Sequence, residues 1–117
     1  MTALYELVPR QASGSVGSLR IRYKEPGAPS SEEVVASITD EGKSAYDATP
    51  DTQFAAAVAE LGMLLRNSPY KGSANWSDVI ALARSTRGED VDGDREELIR
   101  LIGRGESLLG GEKVAKK

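Results

Sequence analysis

The spacing of apolar residues changes near the middle of the chain, and this change limits the possible folds more than any other feature. In Leu19–Lys24 apolar and polar residues alternate, as they do in a strand whose two faces differ. From Phe54 onwards apolar residues recur every three or four positions, as on one side of a helix. Strands in the first half followed by helices in the second predict an α+β fold, because a parallel α/β sheet needs the two kinds of element to alternate.

The first half predicts a small antiparallel sheet of about three strands. In the central strand, Leu19, Ile21 and Tyr23 share one face, so we expect this face to pack against the helices. Pro9 ends the first strand, because proline cannot donate a hydrogen bond to a sheet. The predicted strands are Ala3–Val8, Leu19–Lys24 and Glu33–Thr39.

The second half predicts about three α-helices, which begin near Thr49, Asn75 and Asp94. Thr49, Asn75 and Asp94 can each accept hydrogen bonds from free N–H groups in the first helical turn. Gly103 and Gly105 each cost the third helix about 1 kcal/mol relative to alanine, which predicts bending or fraying there. The residues expected in the core are Phe54, Val58, Leu61, Leu65, Val79, Ile80, Leu82, Ala83, Leu98, Leu101 and Ile102. We expect residues 1–110 to form one domain and residues 111–117 a disordered tail.

Composition removes several classes of function. The 117 residues include no Cys and no His, which excludes disulfides, zinc sites built on thiolates, Cys nucleophiles and His acid–base catalysis. The net charge is −3 and no long basic block occurs, which argues against nucleic acid as a partner. No apolar run is long enough to enter and span a membrane, and no targeting signal is present. We predict a protein without a cofactor that is not an enzyme, with a small carboxylate-based or Ser–Lys enzyme as the alternative.

One acidic cluster has the spacing of a metal site. Asp90, Asp92 and Asp94 alternate as in a calcium-binding loop, but Arg95 stands where that loop needs glycine and Leu101 where it needs glutamate. Acidic residues are also expected before a helix, because they cap its free N–H groups and favour its positive end. The cluster is therefore a weak metal candidate, and helix capping is the favoured interpretation.

A basic stripe and two aromatic residues are further candidates for contact with a partner. Arg20, Arg22 and Lys24 form a basic stripe that either docks an acidic partner or is a solvated face paired with carboxylates such as Glu6. Trp76 is either an interface anchor or part of the core. Tyr70 lies in a conspicuous turn that either contacts a neighbouring domain or simply ends the helix before it.

Four segments together resemble a known family: Ala3–Pro9, Leu19–Lys24, Phe54–Gly72 and Arg87–Asp90. They resemble the domain of unknown function at the C-terminal end of bacterial von Willebrand factor type A proteins, and Phe54–Gly72 is the most specific part. The resemblance implies an α+β accessory or interaction domain, cut from a larger protein of the cell envelope or periplasm.

The partner implied by this resemblance is an upstream metal-dependent adhesion domain, which this domain would support or present. The Asp-x-Ser-x-Ser loop that holds Mg²⁺ in such a domain does not occur in this sequence. The alternative is a structural module that assembles with itself through the edges of its sheet.

Overall fold

A computed structural model describes residues 2–8 and 14–110. The strands are β1 (Gly14–Tyr23) and β2 (Glu32–Asp40), and the helices are a short 3-10 helix (Ala45–Asp47), α1 (Pro50–Leu65), α2 (Trp76–Ser85) and α3 (Asp94–Leu109). The predicted α+β class is confirmed. The chain divides into two compact units, Tyr5–Ser44, which holds the sheet, and the remainder, which holds the helices.

The sheet has two strands instead of the three that were predicted. Residues 2–8 carry strand-forming side chains but form no strand. Leu4 instead lines a depression beside Phe54 and Val58 of α1. Leu4 thus lies beside a helix and not in a sheet, which the local pattern of residues 3–8 could not show.

β1 and β2 form an antiparallel hairpin in which Leu19 lies opposite Ala36, and Ile21 opposite Val34. Residues opposite each other in an antiparallel pair share a face, so these four side chains form one apolar face. The predicted alternation is therefore present. The predicted burial of Leu19, Ile21 and Tyr23 is wrong, because all three are exposed by two fifths or more.

The core is built from the three helices, with α1 packed on α2 and α2 on α3. Its buried apolar residues are Phe54, Ala57, Leu61, Val79, Ile80, Ala83, Ile99 and Ile102. The predicted contributions of Phe54, Leu61, Val79, Ile80, Ala83 and Ile102 are confirmed, and Leu82 and Leu98 are partly buried against them.

Three predicted core residues, Val58, Leu65 and Leu101, are exposed instead. Ala57 and Ile99, which pattern reading did not select, are buried in their place. Neighbouring residues on a helix point about 100° apart, so an error of one residue places a side chain outside the core. In α1 the small Ala57 is fully buried and belongs to the same core cluster as residues of α2 and α3.

The predicted starts of the first two helices are confirmed in detail. The Thr49 hydroxyl accepts a hydrogen bond from the Thr52 N–H (3.3 Å), and the Asn75 side-chain oxygen accepts one from the Asp78 N–H (3.0 Å). No helix within residues 2–8 and 14–110 is long and apolar enough to cross a bilayer. Pro9, which was predicted to end a strand, and the predicted tail at 111–117 lie outside the described residues.

Candidate interaction sites

The predicted basic stripe lies on the face of the hairpin opposite Leu19 and Ile21. Arg20 and Arg22 both form ion pairs with Glu33 of the neighbouring strand, each at 3.6 Å. Lys24 is exposed just beyond the end of β1. The predicted pairing with a carboxylate across the strands is thus present, although Glu33 provides it and not Glu6. Because the pairs are exposed, each contributes little to stability, and this face is polar and open to solvent.

Trp76 begins α2 and packs, partly buried, against the edge of the helical core. Its indole ring lies directly over Gly105 of α3. A Cβ atom at position 105 would come within 2.7 Å of the Trp76 Cζ3 atom, so only glycine fits beneath the ring. α3 continues through Gly103 and Gly105 to Leu109, and the predicted fraying there is wrong.

Trp76 also lines a groove of about 550 Å³ beside the ends of α1 and α3. Apolar walls come from Leu64 and Leu109, and polar rims come from Lys71 and Glu106. The rims are held in place, because Lys71 Nζ donates to Asn67 Oδ1 (2.5 Å) and the Ser77 hydroxyl donates to Glu106 Oε1 (3.1 Å). This mixture suits contact with a protein surface better than enclosure of a small molecule.

Tyr70, the other aromatic candidate, lies in the turn between α1 and α2 and is almost fully exposed. It lines a second depression, with Met63 and Leu82. Lys71 borders both this depression and the Trp76 groove. The structure therefore places the two aromatic candidates beside two depressions that share Lys71.

Asp90 caps α3. One of its carboxylate oxygens accepts a hydrogen bond from the Arg95 N–H (3.2 Å) and the other from the Glu96 N–H (2.9 Å). The expectation that Asp94 would cap this helix is wrong, because Gly93 (φ 77°) occupies the N-cap position and Asp94 is the first helical residue. The chain turns at Gly93, so the Asp90 carboxylate reaches the free N–H groups in the first turn of α3.

The other members of the acidic cluster, Asp92 and Asp94, are exposed. Within the described part of the chain, no three acidic side chains are grouped so that they could hold a metal ion. The residues of the weak calcium candidate are therefore not brought together as a ligand set.

Arg95 is a structural residue that sequence analysis missed. Its guanidinium group lies 4.8 Å from the centre of the Phe54 ring. It also donates to Asp51 Oδ1 (2.7 Å) and to the Arg87 carbonyl (2.8 Å). One side chain thus ties the start of α3 to the start of α1. Its place in the failed calcium pattern, where glycine was required, was the only signal that the position had another role.

The capping bonds predict how stability depends on pH. The hydrogen bond from the Glu96 N–H is the main cause that lowers the pKa of the Asp90 carboxyl, with the Arg95 N–H and the charges of Arg87 and Arg95 adding to it and loss of hydration opposing it. A carboxyl with a lowered pKa in the folded state stabilises the fold above its ordinary pKa of 3.8. That contribution is lost as the pH falls through the lower pKa of the folded state.

We therefore expect Asp90→Ala to lower the melting temperature at neutral pH by several degrees. The difference from the unmodified chain should shrink as the pH is lowered below the ordinary pKa. Thermal unfolding followed by circular dichroism across this pH range measures both effects. Asp92→Ala is the matched control and should change little, because its side chain is exposed. An equal loss of stability in the two variants would contradict the capping role.

Comparison with known proteins identifies the family. The family described as "Uncharacterized protein YfbK, C-terminal" matches residues 9–108. The chain belongs to this family. It is 37% identical over 84 residues to "Uncharacterized protein YfbK" of Escherichia coli strain K12, which covers 72% of this chain and 14% of that protein. The chain thus matches about one seventh of the length of that relative. No solved structure matches the chain.

The resemblance to a domain of unknown function is confirmed at the level of this family. The YfbK C-terminal family is described by its place in a longer protein.

Proposed function

We propose that this chain is a non-enzymatic accessory domain that packs against the preceding region of a larger YfbK-like protein and helps to support or present it. The apolar face of the hairpin carries the proposal. On this face Leu19, Ile21 and Val34 are 42%, 50% and 52% exposed. A two-stranded hairpin is marginally stable in water unless its apolar face is covered, so this face needs a partner surface.

The preceding region of the same protein is the partner that we propose for this face. Two findings support it: the family is described as the C-terminal part of a longer protein, and the chain matches only 14% of its relative from Escherichia coli. The resemblance to domains that follow a von Willebrand factor type A domain makes such an adhesion domain, and with it a place in the cell envelope or periplasm, the specific form of the proposal.

The polar groups of the chain support the non-enzymatic part of the proposal. The most strongly engaged carboxylate in the acidic cluster, Asp90, caps a helix, and Arg95 holds two helix starts together. Glu33 is shared by two arginines on an exposed strand. These particular charged side chains therefore have structural roles that need no substrate.

Hydrogen exchange in the longer protein tests the proposal. We expect the hairpin amides to exchange several-fold more slowly in the longer protein than in the present chain alone, because the apolar face is covered there. The amides of α2 should exchange at similar rates in both, since the helical core is complete in either. Equal exchange of the hairpin in the two proteins would overturn the proposal.

A pair of variants in the longer protein separates the two faces of the hairpin. Ile21→Ser removes an apolar contact and should restore fast exchange to the hairpin. Arg20→Ser, one residue away on the opposite face, should leave the exchange close to that of the unmodified protein. If Arg20→Ser has the larger effect, the basic face and not the apolar one is the contact surface.

A further inference from the structure

The hairpin has a second feature that its apolar face does not explain. Among the described residues β1 and β2 pair only with each other, so each strand has one edge with unpaired backbone groups. β1 has features that natural proteins use to protect an exposed strand: its pairing is irregular between Ser15 and Gly17, and one of its faces carries the charged residues Arg20 and Arg22. The edge of β2 has none of this over Val34–Thr39, which contains no charged residue, proline or glycine.

We propose that the free edge of β2 pairs with β2 of a second copy of this chain, antiparallel about a twofold axis at Ala36. The sequence of β2 is self-complementary around this residue. In this register Val34 lies opposite Ile38 of the second copy, and Val35 lies opposite Ser37. A twofold axis requires this kind of self-complementary surface.

This register extends the apolar face of the hairpin. Ala36 and Val34 already share that face with Leu19 and Ile21, and Val34 and Ile38 would continue it across the twofold axis. The two hairpins together make a four-stranded sheet. Such a sheet is more stable than an isolated two-stranded hairpin, which is only marginally stable in water. Backbone hydrogen bonds along the edge supply the attraction, as in other cases of strand addition.

Charge repulsion at the two ends of β2 opposes the pairing. Glu32 would lie opposite Asp40 of the second copy at both ends, and like charges opposite each other are destabilising. Both carboxylates accept hydrogen bonds within their own hairpin, from the Tyr23 hydroxyl (2.7 Å) and the Gly42 N–H (2.8 Å). A register centred on Val35 would instead place Glu32 against Ile38 on the apolar face, so the Ala36 register is the favourable one.

This pairing is independent of the proposed accessory function, because it uses the edge of β2 and not the apolar face. Hydrogen exchange compared at concentrations where sedimentation shows only monomers reports the accessory contact, and the cross-linking test below reports the pairing. Each of the two proposals can fail without the other.

Engineered cysteines test the pairing directly, since the chain contains no cysteine of its own. In the proposed register Ala36 faces its own counterpart, so Ala36→Cys should form a disulfide-linked dimer rapidly under mild oxidation. Ser37→Cys is the register control, because position 37 faces Val35 and its sulfur lies diagonally from its counterpart. Ser18→Cys is the edge control: it lies opposite Ser37 in the same hairpin but on β1.

We expect cross-linking to be at least tenfold faster at position 36 than at position 18, with position 37 between them. Sedimentation of the chain without cysteines should show a reversible dimer whose fraction rises with concentration. Equal rates at positions 36 and 18, or a monomer at all concentrations, would overturn the proposal. Faster cross-linking at position 37 than at position 36 would overturn the proposed register.

Discussion

Replacing Ile102 with alanine should lower the free energy of unfolding by about 2–5 kcal/mol. Its side chain is only 1% exposed and lies in the core between the helices. The substitution removes buried methyl and methylene groups and leaves a cavity that the surrounding helices can only partly fill. Urea unfolding followed by circular dichroism measures the change, and the slope of the transition shows whether unfolding remains two-state.

Leu101→Ala is the matched control for this prediction. Leu101 precedes Ile102 in the same helix, and pattern reading assigned both to the core, but Leu101 is 51% exposed. Its loss should change the free energy of unfolding by about 0.5 kcal/mol or less, as for most surface positions. Similar losses for the two variants would mean that α3 presents a different side to α2 than the structure indicates.

Replacing Gly105 with alanine should destabilise the protein by about 1–3 kcal/mol, although alanine is the better helix former. The added methyl group would lie 2.7 Å from the Trp76 ring, which must then move out of its position against the core. The same substitution at Gly103 has no neighbour within 4 Å. Gly103→Ala should therefore stabilise the protein by about 0.5–1 kcal/mol.

The two glycine variants are expected to change the stability in opposite directions, and thermal unfolding distinguishes them. A second measurement assigns the effect to Trp76. In a double-mutant cycle, Trp76→Ala and Gly105→Ala should cost less together than the sum of the single changes, because the clash needs both the ring and the methyl group. If Gly105→Ala stabilises the protein as much as Gly103→Ala, the ring does not lie over position 105.

Features that depend on a few neighbouring residues were predicted well. The alternation in β1, the side-chain caps at Thr49 and Asn75, and the order of strands and helices all follow from contacts within one turn or one strand. The residues that make such contacts are close together in the sequence. The roles of the candidate residues were less predictable. The spacing of the acidic residues drew attention to Asp90, but the hydrogen bonds that its two oxygens accept from the Arg95 and Glu96 N–H groups depend on the turn at Gly93.

The wrong predictions share one cause: they concern contacts between residues that are far apart in the sequence. Residues 3–8 have the pattern of a strand, yet Leu4 lies beside α1. Val58 and Ala57 are equally compatible with an amphipathic α1, and the packing of the helical core decides that Ala57 is buried. The sequence did not indicate the contacts of Arg95 with Phe54 and Asp51, because these contacts join residues that are more than 40 positions apart.

The sequence by itself therefore determined the α+β class, the location of each helix and the difference between the two faces of β1, because hydrogen-bonding and spacing preferences act locally. The tertiary structure decided which side of α1 and α3 is buried, and why position 105 must be glycine. Those outcomes depend on the close packing of side chains from separate helices, where a rotation of one residue or an added methyl group changes which atoms meet.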